Sequence, residues 1–265
     1  MQGFEFNSVN RILSGGGSAL NLAEECSALG MSRPLLVTDP GLMAIGLVQP
    51  VLAALESAGL APVVFDAVRE DPPEDTVLAA AALARKQEVD GVLAVGGGSS
   101  MDVAKVVAVL LRTEQPLQAL YGVGNVQGGR APLILVPTTA GTGSEVTPVA
   151  VITTGATTKA GVSSPVLLPD VAVLDPDLTL GLPPAVTAMT GVDAMVHAIE
   201  AYTSRHKKNP LSDMLAVKAL TLLARNIRTA VHEGDNREAR AAMLLGACLA
   251  GQAFANAPVA AVHAL

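Results

Sequence analysis

The sequence predicts an α/β half followed by an all-α half, and three observations carry that expectation. Short Val-, Leu- and Ile-rich runs alternate with Ala-rich helical stretches through the first two thirds of the 265 residues. Those runs are apolar without alternation, the pattern of strands buried on both faces and so of a parallel sheet covered by helices. No strand pattern follows Pro183-Pro184, only helical periodicity. A β-α-β-α order of this kind builds a doubly wound sheet. The change of character at Asp177–Pro184 divides the chain into an α/β domain, 1–180, and a helical domain, 181–265.

In chain order, strands are expected at Pro34–Thr38, Pro62–Phe65, Gly91–Val95 and Leu133–Val136, with further strand-like pieces at Val149–Thr153, Ala160–Ser163 and Val171–Leu174. Helical stretches lie between the first of them, at Ser18–Leu29, Val48–Ala58, Thr76–Gln87 and Met101–Leu111. The helical half breaks near Lys207–Pro210 and Glu233–Asn236, where proline, glycine and asparagine interrupt the periodicity.

Half of the residues are apolar and only 2% aromatic, so Ala, Val and Leu must fill the core. A net charge of −7 argues against a nucleic-acid partner, which needs clustered Lys and Arg. The one basic cluster, Arg205-His206-Lys207-Lys208, reads as a solvated helix end or loop. Cys26 and Cys248 are too few for a disulfide framework and read as small buried hydrophobes in a reducing compartment. Met1–Ser8 lacks a basic segment followed by an apolar one, so no secretory signal is expected. Ala241–Leu265 carries Gln252, Asn256, Pro258 and His263 and reads as core helix rather than membrane span. The expected location is the cytoplasm, with no membrane partner.

Three segments carry candidate chemistry. Val92–Gly96 is a strand running into Gly96-Gly-Gly-Ser99, and a helix with Asp102 and Lys105 follows. Glycines there let backbone N–H groups approach a phosphate at a helix N-terminus; a tight turn without ligand is the plainer alternative. Pro137-Thr-Thr-Ala-Gly-Thr-Gly-Ser-Glu-Val-Thr147 follows a second buried strand and offers five hydroxyls, suited to a pyrophosphate or ribose or to satisfying its own backbone. Asp39 ends the first strand. There it can accept ribose hydroxyls and repel a 2′-phosphate, favouring NAD over NADP, or simply form the turn before Pro40. In the helical half Asp193 and His197 stand four residues apart, one helical turn, in an otherwise apolar stretch. One carboxylate with imidazoles suits Fe²⁺ or Zn²⁺ better than Ca²⁺ or Mg²⁺, although an exposed ion pair has the same spacing.

Taken together these segments resemble the iron-containing, or group III, alcohol dehydrogenases. Gly96-Gly-Gly-Ser-Ser-Met-Asp-Val-Ala-Lys105 is similar to that family's G-G-G-S-x-x-D-x-x-K segment, and Pro137–Thr147 to its most recognisable loop. Thr190-Gly-Val-Asp-Ala-Met-Val-His-Ala-Ile-Glu200 resembles its first metal-ligand helix, and Phe254-Ala-Asn-Ala-Pro-Val-Ala-Ala-Val-His263 the helix bearing its third ligand. The resemblance implies a Rossmann-like nucleotide-binding domain and an all-α domain in the dehydroquinate synthase-like architecture, with the site between them. It implies Asp193, His197 and His263 as metal ligands, Gly97, Gly98 and Ser99 at the pyrophosphate, and Asp102, Thr138, Thr139 and Thr147 around the cofactor. Lys159 would lie near the ribose and Asp39 at the adenosine ribose.

The chemistry implied by the resemblance is reversible hydride transfer between a small aliphatic alcohol or aldehyde and nicotinamide, with NAD preferred to NADP and Fe²⁺ or Zn²⁺ as Lewis acid. The partner is a small alcohol or aldehyde, and the assembly a homo-oligomer. The sequence departs from the family twice. Asp71-Pro72 stands where Asn-Pro is frequent, and the family's further histidines fall beyond Leu265, so a truncated member with an exposed apolar face on helices 185–265 is expected. The alternatives are a chain that binds NAD without turnover, or a metal-free reductase of the maleylacetate reductase kind, against which the retained Asp193, His197 and His263 argue.

Overall fold

The structure, a computed structural model, describes residues 3–155 and 158–258. His263 therefore lies outside the described residues.

Six parallel strands form the main sheet: β1 (Arg11–Ser14), β2 (Pro34–Val37), β3 (Val63–Phe65), β4 (Gly91–Gly96), β6 (Leu133–Pro137) and β9 (Val171–Leu174), in the order β1-β9-β6-β4-β2-β3. Every residue of β2, β4, β6 and β9 is buried, as their unbroken apolar runs require. Successive side chains leave a strand on opposite faces, and two cores result. On one face Leu35, Val37, Val92, Ala94, Leu133 and Leu135 pack with α4 (Glu74–Lys86) and α5 (Gly98–Leu110). On the other, Leu36, Leu93, Val95, Ile134 and Val136 pack with α1 (Leu22–Ala28) and α3 (Gln49–Ser57). Cys26 is buried in this second core and carries no disulfide.

Two of the later strand-like pieces do not join this sheet. β7 (Val149–Thr154) and β8 (Thr158–Ser163) pair antiparallel, with β5 (Gly122–Val123) beside β8 in a separate three-stranded sheet. The short helix α2 (Pro40–Ala44) starts where Asp39 accepts a hydrogen bond from Leu42 N–H at 3.0 Å and Pro40 fills the first turn.

From Pro184 to Asn256 the described residues form three helices, α6 (Pro184–Thr203), α7 (Pro210–His232) and α8 (Arg237–Asn256), broken at the two expected places. Their shared core is built largely of alanines, among them Ala194, Ala198, Ala216, Ala219, Ala247 and Ala250, with Leu223 and the free Cys248. Small side chains let the three helices lie close together. The expected exposed apolar face is present: Met189, Val192, Ile199 and Tyr202 on α6 and Leu211, Met214 and Val217 on α7 all stand in solvent. Among the described residues no helix is long and apolar enough to cross a membrane.

Candidate functional site

Parallel pairing places the candidate loops side by side. Pro34–Val37 of β2 pair with residues 91–94 of β4, and Gly96 pairs with Pro137 at the end of β6. The chain therefore leaves β2 at Asp39, β4 at Gly97 and β6 at Thr138 along one edge of the sheet, the carboxyl edge where open α/β folds bind ligands. Close approach there demands glycine. A Cβ on Gly98 would stand 2.9 Å from Thr142 Cγ2, so the turn before α5 and the hydroxyl-rich loop interlock only without a side chain. That loop also seats on the helical half. Gly143 takes φ +62°, and a Cβ on it would come within 2.6 Å of the Gly251 Cα on α8.

A cavity of about 920 Å³ opens beside these loops. Gly98, Ser99, Asp102, Thr147 and Lys159 line it from the α/β half, and Asp193, His197 and Phe254 from the helices. The other cofactor candidates lie off it. Thr138 is buried and its N–H donates to Gly96 O at 3.0 Å, while Gly97 and Thr139 face each other behind the turn. Asp39 caps α2, the plainer of its two expected roles, with its carboxylate near Gly96.

His197 is 7% exposed and stacks on Phe254, ring centroids 4.5 Å apart, and its Nδ1 lies 3.6 Å from Asp193 Oδ2. At that separation both donors can reach one ion at metal–ligand distances of about 2.0–2.2 Å. A carboxylate and an imidazole facing one cavity thus fit a borderline divalent metal. Among the described residues no third His, Cys, Asp or Glu joins them.

Sequence reasoning did not anticipate the network behind the cavity wall. Lys105 is wholly buried; its Nζ donates to Ser144 Oγ at 2.7 Å, Val149 O at 2.7 Å and Thr147 Oγ1 at 3.2 Å, and lies 3.7 Å from Asp102 Oδ1. Asp102 accepts Ser144 O–H at 2.6 Å and Val151 N–H at 2.9 Å. Burial pushes the Lys105 ammonium down to about 8, against the pull of Asp102 and Glu145. The same desolvation raises the Asp102 carboxyl and takes that of Glu145 up to about 7. A lysine inside Met101–Leu110, an otherwise apolar helix apart from Asp102, was the available signal.

Two further lining residues were missed. Asn7 lines the cavity and exchanges hydrogen bonds with Asn256 at the end of α8, at 2.6 and 2.8 Å. Lys207, expected as part of a solvated cluster, lines the cavity with φ +51°, while its neighbour Lys208 pairs with Asp213 at 2.6 Å.

Comparison with known proteins extends the geometry. The family model "Iron-containing alcohol dehydrogenase" matches residues 9–176, and "Fe-containing alcohol dehydrogenase family, C-terminal" matches 187–265. Long-chain-alcohol dehydrogenase 1 of Geobacillus thermodenitrificans (strain NG80-2) is 45% identical over 95% of this chain and 64% of its own length. The crystal structure of a 1,3-propanediol oxidoreductase superposes with a TM-score of 0.96 at 38% identity, over 99% of this chain and 69% of that one. Sulfoacetaldehyde reductase from Bifidobacterium kashiwanohense, solved in complex with NAD⁺, superposes at 0.92 with 33% identity, over 100% of this chain and 70% of that one. The chain spans about two thirds of the length of these relatives. Two family models that together take in nearly every residue from 9 onward, and a parallel sheet whose glycine turn opens on a helical Asp–His pair, establish that this chain belongs to the iron-containing alcohol dehydrogenase family.

Proposed function

We propose that the chain is a metal-dependent, NAD(P)-linked alcohol dehydrogenase or aldehyde reductase that interconverts a small aliphatic alcohol and its aldehyde. One observation carries the reading: a single cavity is lined both by the glycine turn at the start of α5 and by the Asp193–His197 pair. The first is suited to a dinucleotide phosphate, the second to a metal beside the reacting carbon.

In this reading Gly98 and Ser99 receive the pyrophosphate with Gly97 in the same turn. Asp102, Thr147 and Lys159 line the space for the rest of the cofactor, and Thr138 and Thr139 support the turn from behind. Asp39 at the end of β2 favours NAD over NADP. Asp193 and His197 hold Fe²⁺ or Zn²⁺, joined by His263, which lies outside the described residues. Bound nicotinamide would accept or return hydride, and the metal would polarise the substrate oxygen. The protein's own contribution is position and dryness. Phe254 covers one face of His197 and keeps water from its ring, and the Lys105–Ser144–Asp102 network fixes the wall against which the cofactor lies. The relatives are named for a long-chain alcohol, 1,3-propanediol and sulfoacetaldehyde, which supports the reaction class and not one substrate. The exposed apolar row on α6 and α7 supports assembly as a homo-oligomer.

The test pairs metal content per chain, after anaerobic loading with Fe²⁺ and then Zn²⁺, with alcohol-dependent NADH formation. Near-stoichiometric metal and turnover, both lost in Asp193→Ala, are expected. NADH binding without metal or turnover would replace this reading with that of a chain that binds dinucleotide and does no chemistry.

A further inference from the structure

An ion pair stands on the cavity wall. Lys159 Nζ lies 2.7 Å from Asp71 Oδ1, and both residues line the cavity. They come from different parts of the chain, Asp71 from the loop ahead of α4 and Lys159 from β8. The two side chains are 54% and 61% exposed, lysine first, which by itself describes a loose pair.

The backbone that presents Asp71 is not loose. Its φ of +49° falls in the left-handed region that few non-glycine residues occupy. Its carbonyl accepts Thr153 Oγ1–H at 3.0 Å, and the next carbonyl, that of Pro72, accepts Thr153 N–H at 2.9 Å. Pro73 continues the pairing as a parallel bridge to Thr153. The loop is thereby stitched to β7, and its carboxylate is held beside the lysine of the adjoining strand. Among the described residues the lysines on the cavity wall are Lys159 and Lys207, whereas Asp71, Asp102 and Asp193 all line the same space. An anionic ligand entering it meets more carboxylates than ammonium groups.

We infer that Asp71 is a built-in competitor for Lys159. It holds the ammonium when no ligand is present, and a bound dinucleotide, which lies beside Lys159 in the reading above, gains that ammonium only by breaking or sharing the pair. Asp71 thus sets the dinucleotide affinity below what the cavity could reach without it. The inference rests on the dinucleotide reading given above and adds a residue that tunes it.

Fluorescence titration with NADH at low salt tests it on four forms of the 265-residue chain: wild type, Asp71→Asn, Lys159→Gln and the double variant. Asparagine keeps the size of Asp71 and tolerates its backbone conformation. Asp71→Asn is expected to bind NADH about 1.5- to 5-fold more tightly, the fold-change equivalent of an exposed pair's 0.2–1 kcal/mol. The gap should close as salt rises, and the double variant should bind like Lys159→Gln alone. Equal or weaker binding by Asp71→Asn overturns the inference and leaves the dinucleotide reading standing. Undiminished tightening in the Lys159→Gln background overturns it too, since the effect would then be general charge repulsion. NADH bound by none of the four forms overturns both.

Discussion

Replacing Lys105 with methionine keeps most of the side chain's length and removes its charge. The ammonium is wholly buried, and a fall from 10.5 to about 8 means the site disfavours the charged form by roughly 3 kcal/mol even with its partners in place. Methionine relieves that burden. It also strips the Lys105 ammonium from Ser144 Oγ, Thr147 Oγ1 and the Val149 carbonyl, and the positive charge 3.7 Å from Asp102. Breaking one side of a buried pair ordinarily costs about 3–5 kcal/mol. The relief of desolvation places Lys105→Met below that, at about 2–3 kcal/mol. For a chain of this size that is a fall in Tm of roughly 5–10 °C.

The pH dependence adds a second signature. Below pH 8 Lys105 is protonated in both states and the folded chain carries the whole cost. Between about 8 and 10.5 the unfolded chain binds more protons, so wild-type stability gains a rising contribution with pH that the variant lacks. Urea titrations of both proteins from pH 7 to 10.5 measure each part. A variant within 1 kcal/mol of wild type at pH 7, with a parallel pH curve, would refute the reasoning.

Three other perturbations have definite outcomes. Glu145 has the opposite sign: its folded value of about 7 exceeds the usual 4.5, so between those values the folded chain binds more protons and stability falls as pH rises. Glu145→Gln should therefore be more stable than wild type at pH 8 by about 1–3 kcal/mol and converge with it near pH 5; an equal difference at both pH values in urea unfolding would count against this. Gly251→Ala would bring a Cβ within 2.9 Å of the Gly143 backbone and should cost about 1–3 kcal/mol by thermal melt; an unchanged Tm would show that the loop can yield. Asp39→Ala should cost about 1 kcal/mol as a lost helix cap. Asp39→Ser should recover stability, and if it also recovers full NADH affinity, Asp39 has no part in holding the ribose.

Much of this architecture was legible because burial on both faces leaves a plain trace. Pro34–Val37, Gly91–Gly96 and Leu133–Pro137 announce themselves as continuous apolar runs. The elements that were missed lack that trace. β1 is an edge strand, Arg-Ile-Leu-Ser, largely exposed and recognisable only through its pairing with β9. β5 is two residues long, and α2 is a five-residue helix whose signals, a capping Asp39 and Pro40, are equally those of a turn.

In the site, Gly98, Ser99 and the Asp193–His197 pair could be picked out because each is a local pattern. Lys105 could be recognised as a lone ammonium in an apolar helix, but its partners lie some forty residues further on. Local pattern does not say which distant segment folds against it. Lys207 escaped for a related reason, since a basic run looks solvated until the loop's left-handed turn brings one member to the cavity.

The seating of Gly143 against Gly251 imposes an order of assembly. A chain made from its N-terminus has the turn at Gly143 ready long before α8 exists. At about 5–20 residues per second the interval is on the order of 5–20 s. Through that time the hydroxyl-rich loop has no surface to lie on, and the clasp between Asn7 and Asn256, 249 positions apart, cannot close. Most of the sheet can form first, because the cores on β2, β4 and β6 are built with α1, α3, α4 and α5, while Ala172 and Leu174 of β9 wait for α6 to α8. The part of the cavity wall that α8 supplies, Phe254 among it, is thus in place only after α8 has docked.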